Sequence, residues 1–82
     1  MILIDVYVTA LSKAYDFGLD DEVQISMVID EMIEMICQSE QFSIEEGNRQ
    51  FVLCDRKNKK ILPFQSTLRA CGIQTGQQLI LV

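Results

Sequence analysis

The chain has 82 residues, which is enough for one small domain, and it carries 12 acidic against 7 basic side chains, for a formal net charge of −5. With 49% hydrophobic residues it has the composition of a folded globular domain, not of a disordered segment. The acidic balance argues against a nucleic-acid partner, because nucleic-acid binding depends on clustered basic residues that neutralise phosphates.

The start of the chain predicts a β-hairpin. Every second residue is apolar from Ile2 to Val8 and again from Tyr15 to Leu19, which is typical of strands with one buried face. The connection between the two strands is short, so the pair is expected to be antiparallel.

The sequence period then changes to that of a helix. Apolar residues spaced three and four apart share one face between Ile25 and Gln38, while Asp30, Glu31 and Glu34 gather on the opposite face. This pattern predicts a helix over about these residues, packed by its apolar face, with Met27 on the polar side.

Shorter elements are predicted in the second half of the chain. In order they are a turn at Glu45–Asn48, a strand at Phe51–Cys54, a basic hairpin turn at Asp55–Lys60, a return strand at Ile61–Leu62, a helical turn through Leu68–Ala70 closed by Gly72, and a last strand at Gln78–Val82.

This order of elements predicts the α+β class, with a mixed sheet of four to five strands and one main helix packed on one face, in a single domain over residues 1–82. If the last strand lies parallel beside the first, both become central. The expected core positions outside the helix are Ile2, Ile4, Val6, Tyr15, Phe17, Leu19, Phe51, Leu53, Leu68, Ile73, Leu79 and Leu81.

Strand alternation turns a second set of apolar residues toward the solvent. A sheet covered on one side has no structural use for Leu3, Val52, Ile80 and Val82 on its open side. We therefore predict these four residues as a partner-binding face, since contiguous apolar patches on proteins usually mark interaction sites. The alternative is that scattered apolar residues are ordinary on a β surface.

The sequence offers few candidates for catalytic or metal-binding residues. The chain has no histidine, and its acidic groups lie on predicted turns or the polar face of the helix, so no catalytic, cofactor or metal site is predicted. The widely spaced Cys37, Cys54 and Cys71 suit neither a disulfide framework nor a metal site and indicate free thiols in a reducing compartment. Cys71, near Arg69, is the best candidate for a reactive thiol, although packing is expected for all three.

The order of elements and two segments of the sequence resemble those of a known family. The order of elements is that of the ubiquitin-like β-grasp fold, and the segments YDFGLDDEVQISMVID and LRACGIQTGQQLILV resemble the YukD and EsaB family, which accompanies the type VII (WXG100) secretion systems of Gram-positive bacteria. The resemblance implies a non-enzymatic, accessory or regulatory role through protein–protein contacts, with membrane components of the secretion system or a second copy of the chain as partners. Val52 falls where ubiquitin places the central apolar residue of its recognition patch.

One departure from ubiquitin concerns the end of the chain. Ubiquitin and the related sulfur carriers act through a flexible tail ending in Gly-Gly, whereas this sequence ends at Val82 within the last predicted strand. Conjugation and sulfur transfer are therefore not expected, and the alternative is a carrier or modifier whose tail is absent from this chain. A signal peptide and an apolar run of about 18 residues are both missing, which predicts a cytoplasmic protein that does not insert into a membrane.

Overall fold

A computed structural model describes residues 1–40 and 51–82. The elements are β1 (Ile2–Val8), β2 (Lys13–Leu19), α1 (Ile25–Glu40), β3 (Leu53–Asp55), β4 (Lys60–Ile61) and β5 (Gln78–Leu81), with a short 3₁₀ turn at Thr9–Leu11. The turn predicted at Glu45–Asn48 lies outside the described residues.

All five strands form one mixed sheet in the order β2-β1-β5-β3-β4. Strand β5 runs parallel to β1 and antiparallel to β3, and the outer pairs β1–β2 and β3–β4 are antiparallel. The prediction of a mixed sheet with the last strand central beside the first is therefore confirmed. The long connection through α1 is what allows β1 and β5 to be parallel neighbours.

The hairpin of β1 and β2 turns through the 3₁₀ segment and Ser12. Ser12 adopts φ 53°, in the left-handed region, and its amide donates to the Thr9 carbonyl oxygen at 3.2 Å. This closes the register with Val8 opposite Lys13 and Ile2 opposite Leu19, so that alternate residues of both strands face the helix.

Helix α1 packs its apolar face on the sheet, burying Ile25, Val28, Ile29, Met32 and Ile36. Met27 is 59% exposed, as its position on the polar face predicts. The helix reaches Glu40, two residues beyond the predicted Gln38, and Glu40 accepts hydrogen bonds from the side chains of Lys13 and Tyr15.

The start of α1 explains why the sequence shows no capping box. Helix amide groups in the first turn have no partner inside the helix. Here the amide of Ile25 donates to the Ser66 carbonyl oxygen at 2.8 Å, and that of Ser26 donates to the Phe64 carbonyl oxygen at 3.0 Å. The segment before β5 therefore caps the helix with its backbone, a contact between residues about forty positions apart.

The predicted single helical turn near Leu68 is present, because the Cys71 amide donates to the Thr67 carbonyl oxygen at 3.1 Å and Thr67 Oγ1 caps the turn by accepting from the Ala70 amide at 3.0 Å. The Arg69 amide, which like other first-turn amides has no partner within the turn, donates to the Asp21 carbonyl oxygen at 3.0 Å. That contact ties the turn to the connection between β2 and α1. Gly72 ends the turn with φ 77°, in the left-handed region that glycine adopts without strain.

The core lies between α1 and one face of the sheet. Its buried hydrophobic residues are Ile4, Val6, Val8, Phe17, Leu19, Ile25, Val28, Ile29, Met32, Ile36, Leu53, Leu62, Leu68, Ile73, Leu79 and Leu81. Three residues expected in the core, Ile2, Tyr15 and Phe51, lie partly buried at its margin, whereas Val8 and Leu62 join it. Within the described residues, α1 and the segment between β4 and β5, through Leu62, Leu68 and Ile73, cover this face of the sheet, and the other face is open.

Candidate protein interaction site

The open face of the sheet carries an apolar row that crosses all five strands. Tyr7 on β1 lies beside Ala14 on β2 and Ile80 on β5, Ile80 lies beside Cys54 on β3, and Cys54 lies beside Ile61 on β4. Because residues in register on neighbouring strands project from the same side of a sheet, these side chains form one continuous line.

A second apolar pair lies next to this row. Val52 and Val82 bond each other through both backbone groups, with N–H···O distances of 2.8 and 3.0 Å, and they stand on the face opposite to that of the buried Leu53 and Leu81. Their exposure follows from that position, with Val82 46% exposed and Val52 partly exposed.

We call this surface the outer patch. It consists of Tyr7, Val52, Cys54, Ile61, Ile80 and Val82. Ile61 and Tyr7 are 64% and 40% exposed, while Ile80 and Cys54 in the middle are half-buried by their neighbours. The patch is therefore a shallow apolar surface in which Ile61, Val82 and Tyr7 are the most accessible side chains.

Leu3 lies on the same face but outside the outer patch. A polar row separates them, in which Gln78 Nε2 donates to Asp5 Oδ2 at 3.1 Å and Arg56 Nη1 donates to Gln78 Oε1 at 3.1 Å. Leu3 is 63% exposed and lies beside Gly18, near Met1. Of the four residues predicted as the partner-binding face, the structure brings together Val52, Ile80 and Val82.

The sequence did not single out the other members of the patch. Tyr7 is an aromatic residue with a polar group, Cys54 is a small thiol, and Ile61 precedes another apolar residue, Leu62, so none of them belongs to the predicted set of outward-facing aliphatic residues. Alternation within one strand shows which residues share a face, but only the register between strands shows which of them are neighbours.

Positive charge borders the outer patch on one side. The β3–β4 turn presents Arg56, Lys57, Lys59 and Lys60, all exposed, directly before Ile61. The buried Asp55 organises this turn, because its carboxylate accepts from the Lys57 amide at 3.0 Å and from Asn58 Nδ2 at 2.8 Å. Lys59 adopts φ 54° to complete the reversal.

Two ionisable clusters tie elements together away from the patch. Tyr15 Oη donates to Glu40 Oε1, and this hydrogen bond, together with burial and the charge of Glu40, raises the pKa of Tyr15 to about 12. The hydrogen bonds from Tyr15 and Lys13 hold the pKa of Glu40 below its ordinary value.

The second cluster centres on Asp21. Burial acts to raise the pKa of Asp21, but its backbone hydrogen bond and Arg69 outweigh burial, so the pKa is lowered. Arg69 bonds Asp21 at 3.3 Å and Glu22 at 2.7 Å. This guanidinium is therefore engaged by carboxylates, while the half-buried Cys71 thiol lies 3.6 Å from Ser66 Oγ and packs against the core.

Comparison with known proteins decides the family. A family model described as "WXG100 protein secretion system (Wss), protein YukD" matches residues 3–81. The chain belongs to the YukD family. The resemblance read from the sequence is thereby confirmed, and the outer patch is a surface of a ubiquitin-like YukD-family protein of type VII secretion. Comparison with curated proteins gave no match.

Solved structures confirm the ubiquitin-like fold of this YukD-family chain. The ubiquitin-like domain of EccD5 from Mycobacterium xenopi is 19% identical, with a TM-score of 0.71 over 99% of this chain and 91% of that chain. The ubiquitin-like domain of the Mycobacterium tuberculosis type VII secretion system protein ECCD1 is 16% identical, with a TM-score of 0.70 over 100% and 99% of the two chains. In residues 1–40 and 51–82, no helix has the length and apolar character needed to cross a membrane.

Proposed function

We propose that this YukD-family chain is a non-enzymatic accessory or regulatory component of a type VII secretion system and that it docks another protein through the outer patch. The observation that carries the proposal is the continuous apolar row from Tyr7 through Ile80 to Ile61 on the uncovered face of the sheet. Exposed apolar side chains that are neighbours across four strands are typical of an interaction surface and exceed the scattered apolar residues of an ordinary one.

The charge beside the patch indicates the chemistry of the partner. Three lysines and Arg56 lie in the turn next to Ile61, so the matching surface carries apolar residues at its centre and acidic residues on the side that meets the turn. We propose a membrane component of the secretion system as this partner, met from the cytoplasm, where the three free cysteines would stay reduced.

The proposal is tested in a host that secretes WXG100 proteins. Val52→Asp and Ile80→Asp together place two charges in the patch, on the open face of the sheet, where a carboxylate can stay hydrated. We expect secretion to fall strongly while the circular dichroism spectrum of the purified variant stays that of the wild type. A photo-crosslinking residue at position 61 should join the wild-type protein to one secretion-system component.

Leu3→Asp is the matched control, because Leu3 is exposed on the same face but lies beyond the polar row. It should leave both secretion and the crosslink unchanged. Normal secretion and crosslinking by the folded double variant would show that the patch is not the docking surface. A crosslink only between copies of the chain would show a homo-oligomer in place of the proposed partner.

A further inference from the structure

A groove lies between the exposed side of α1 and the end of β2, well apart from the outer patch. It has a volume of about 570 Å³. Its lining residues come from the N-terminus, the end of β2, the connection to the helix and the first ten residues of α1, and they include Met1, Gly18, Val23 and Met27. The groove shares none of these residues with the outer patch.

The floor of the groove is apolar. Met27 is 59% exposed, the Met1 side chain is exposed, and Val23 is half-buried between them and the core. Gly18 adds no side chain to the floor, and the Met1 Sδ atom lies 3.4 Å from where its Cβ would be. Methionine side chains are flexible and polarisable, and they are common on surfaces that adapt to the apolar side chains of a partner.

The walls of the groove are acidic. Asp30, Glu31 and Glu34 project from adjoining positions of the helix, with Asp30 and Glu34 one turn apart, and Asp20 faces them from the strand–helix connection. Because like charges one helical turn apart destabilise a helix, Asp30 and Glu34 do not stabilise α1 by their position. The groove-lining residues that the structure describes include no lysine or arginine.

Within the described ranges, the helix carboxylates of the groove lack the ion pairs that Asp21, Glu22 and Glu40 form. Asp21, Glu22 and Glu40 each have a cationic partner within 4 Å, whereas no described residue forms an ion pair with Asp30, Glu31 or Glu34. The Met1 amino group lies 3.8 Å from Asp21 Oδ1, so this cation is paired with a carboxylate that does not line the groove. Among the described residues, negative charge therefore borders an apolar floor and forms no ion pair on the helix side.

We propose that this groove binds a basic amphipathic segment of a partner protein. Apolar side chains of the segment would lie on Met27 and Val23, and its lysines or arginines would meet Asp30, Glu31, Glu34 and Asp20. A metal ion does not fit the site, because the described residues contain no group of three ligand side chains gathered around one point. The acidic walls and the apolar floor of the groove together match a ligand that carries both basic and apolar side chains.

The binding probe is a fluorescent synthetic peptide of about 14 residues, with leucines on one face of a helix and lysines elsewhere. Anisotropy measures its affinity for the 82-residue protein, and methionine-methyl NMR locates it. We expect saturable binding that shifts the Met27 methyl signal and leaves the buried Met32 signal in place. A peptide with serine in place of leucine should bind at least several-fold more weakly, because the apolar contact is lost.

Charge reversal supplies matched variants. Glu31→Lys in the groove should weaken binding by about tenfold, because it juxtaposes like charges. Asp16→Lys on the open sheet face makes the same change in net charge at a residue that does not line the groove, and it should weaken binding clearly less than Glu31→Lys does. Val52→Asp with Ile80→Asp should also leave it unchanged, which separates this groove from the function proposed for the outer patch.

Several outcomes would overturn the proposal. If Glu31→Lys and Asp16→Lys weakened binding equally, the peptide would be attracted only by the net charge of the protein. If the serine peptide bound as tightly as the leucine peptide, the apolar floor would not contribute to binding. Shifts at the outer patch instead of Met27 would place the ligand elsewhere. If the Met27 methyl signal shifted when the protein was concentrated without peptide, the groove would be occupied by a second copy of the chain.

Discussion

Tyr15 and Glu40 link the second strand to the last turn of the helix, and their protonation states depend on each other. The hydrogen bond from the phenol to the carboxylate raises the pKa of Tyr15 to about 12 and lowers that of Glu40. A raised tyrosine pKa means that the contribution of Tyr15 to stability is present below its ordinary pKa of 10.0 and is lost as the pH rises toward about 12. Glu40, whose pKa is lowered, loses its contribution as the pH falls below the ordinary value of 4.5.

Glu40→Gln tests this link at a single residue. Removing the carboxylate charge should bring the pKa of Tyr15 down from about 12 toward 10.0, because a neutral amide accepts a weaker hydrogen bond and exerts no charge repulsion on the phenolate. The measurement is the ultraviolet absorbance of tyrosinate as a function of pH, with Tyr15→Phe identifying the transition of Tyr15. An unchanged transition in Glu40→Gln would show that the two side chains do not interact in solution.

At the scale of elements, the β3–β4 hairpin depends on a carboxylate that the sequence pattern did not mark. Asp55 is 3% exposed and accepts two hydrogen bonds from its own turn. Asp55→Ala should lower the free energy of unfolding by about 1–3 kcal/mol, because the turn loses two hydrogen bonds to a charged carboxylate. Chemical denaturation followed by circular dichroism measures the change.

Lys57→Ala is the control for the same hairpin, because its exposed side chain makes no hydrogen bond with the described residues. It should change stability by no more than about 0.5 kcal/mol. A loss in Asp55→Ala as small as that in Lys57→Ala would mean that the turn reverses without its carboxylate.

A helix or strand could be predicted where the spacing of apolar residues within its own segment determines it. The alternation from Ile2 to Val8 and the helical spacing from Ile25 set the type and place of β1 and α1, and the structure confirms both. The start of α1 could not be explained from the sequence, because its caps are backbone carbonyls of Phe64 and Ser66. Because these caps are backbone groups of a distant segment, they require no particular residue type at the start of the helix.

The same limit applies to the site at the scale of the whole molecule. Alternation predicted that Val52, Ile80 and Val82 face outward, but the sheet order and register were needed to place Tyr7 and Ile61 beside them. The polar row of Asp5, Gln78 and Arg56 that excludes Leu3 likewise forms only after three strands are assembled. Which side chains form one surface is therefore a property of the assembled sheet, whereas which side chains are exposed can be read strand by strand.

The closing strand joins the two halves of the fold, so damage to it should affect the entire molecule. Leu79 and Leu81 are 0% and 1% exposed, and in the part of the chain that the structure describes β5 joins β1 to β3. Leu79→Ala should cost about 2–5 kcal/mol through lost burial and a cavity. That is a large share of the roughly 4–12 kcal/mol that a domain of this size typically has.

We therefore expect Leu79→Ala to shift unfolding of the helix and the sheet together, in one transition at lower urea concentration. Far-ultraviolet circular dichroism reports the helix, and the methyl NMR signals of Val6 and Leu53 report the two sides of β5. Val82→Ala, at a 46% exposed position in the same chain segment, should change the midpoint little. Separate transitions for β1 and β3 in Leu79→Ala would contradict a single cooperative domain, because both strands depend on β5 for their place in the sheet.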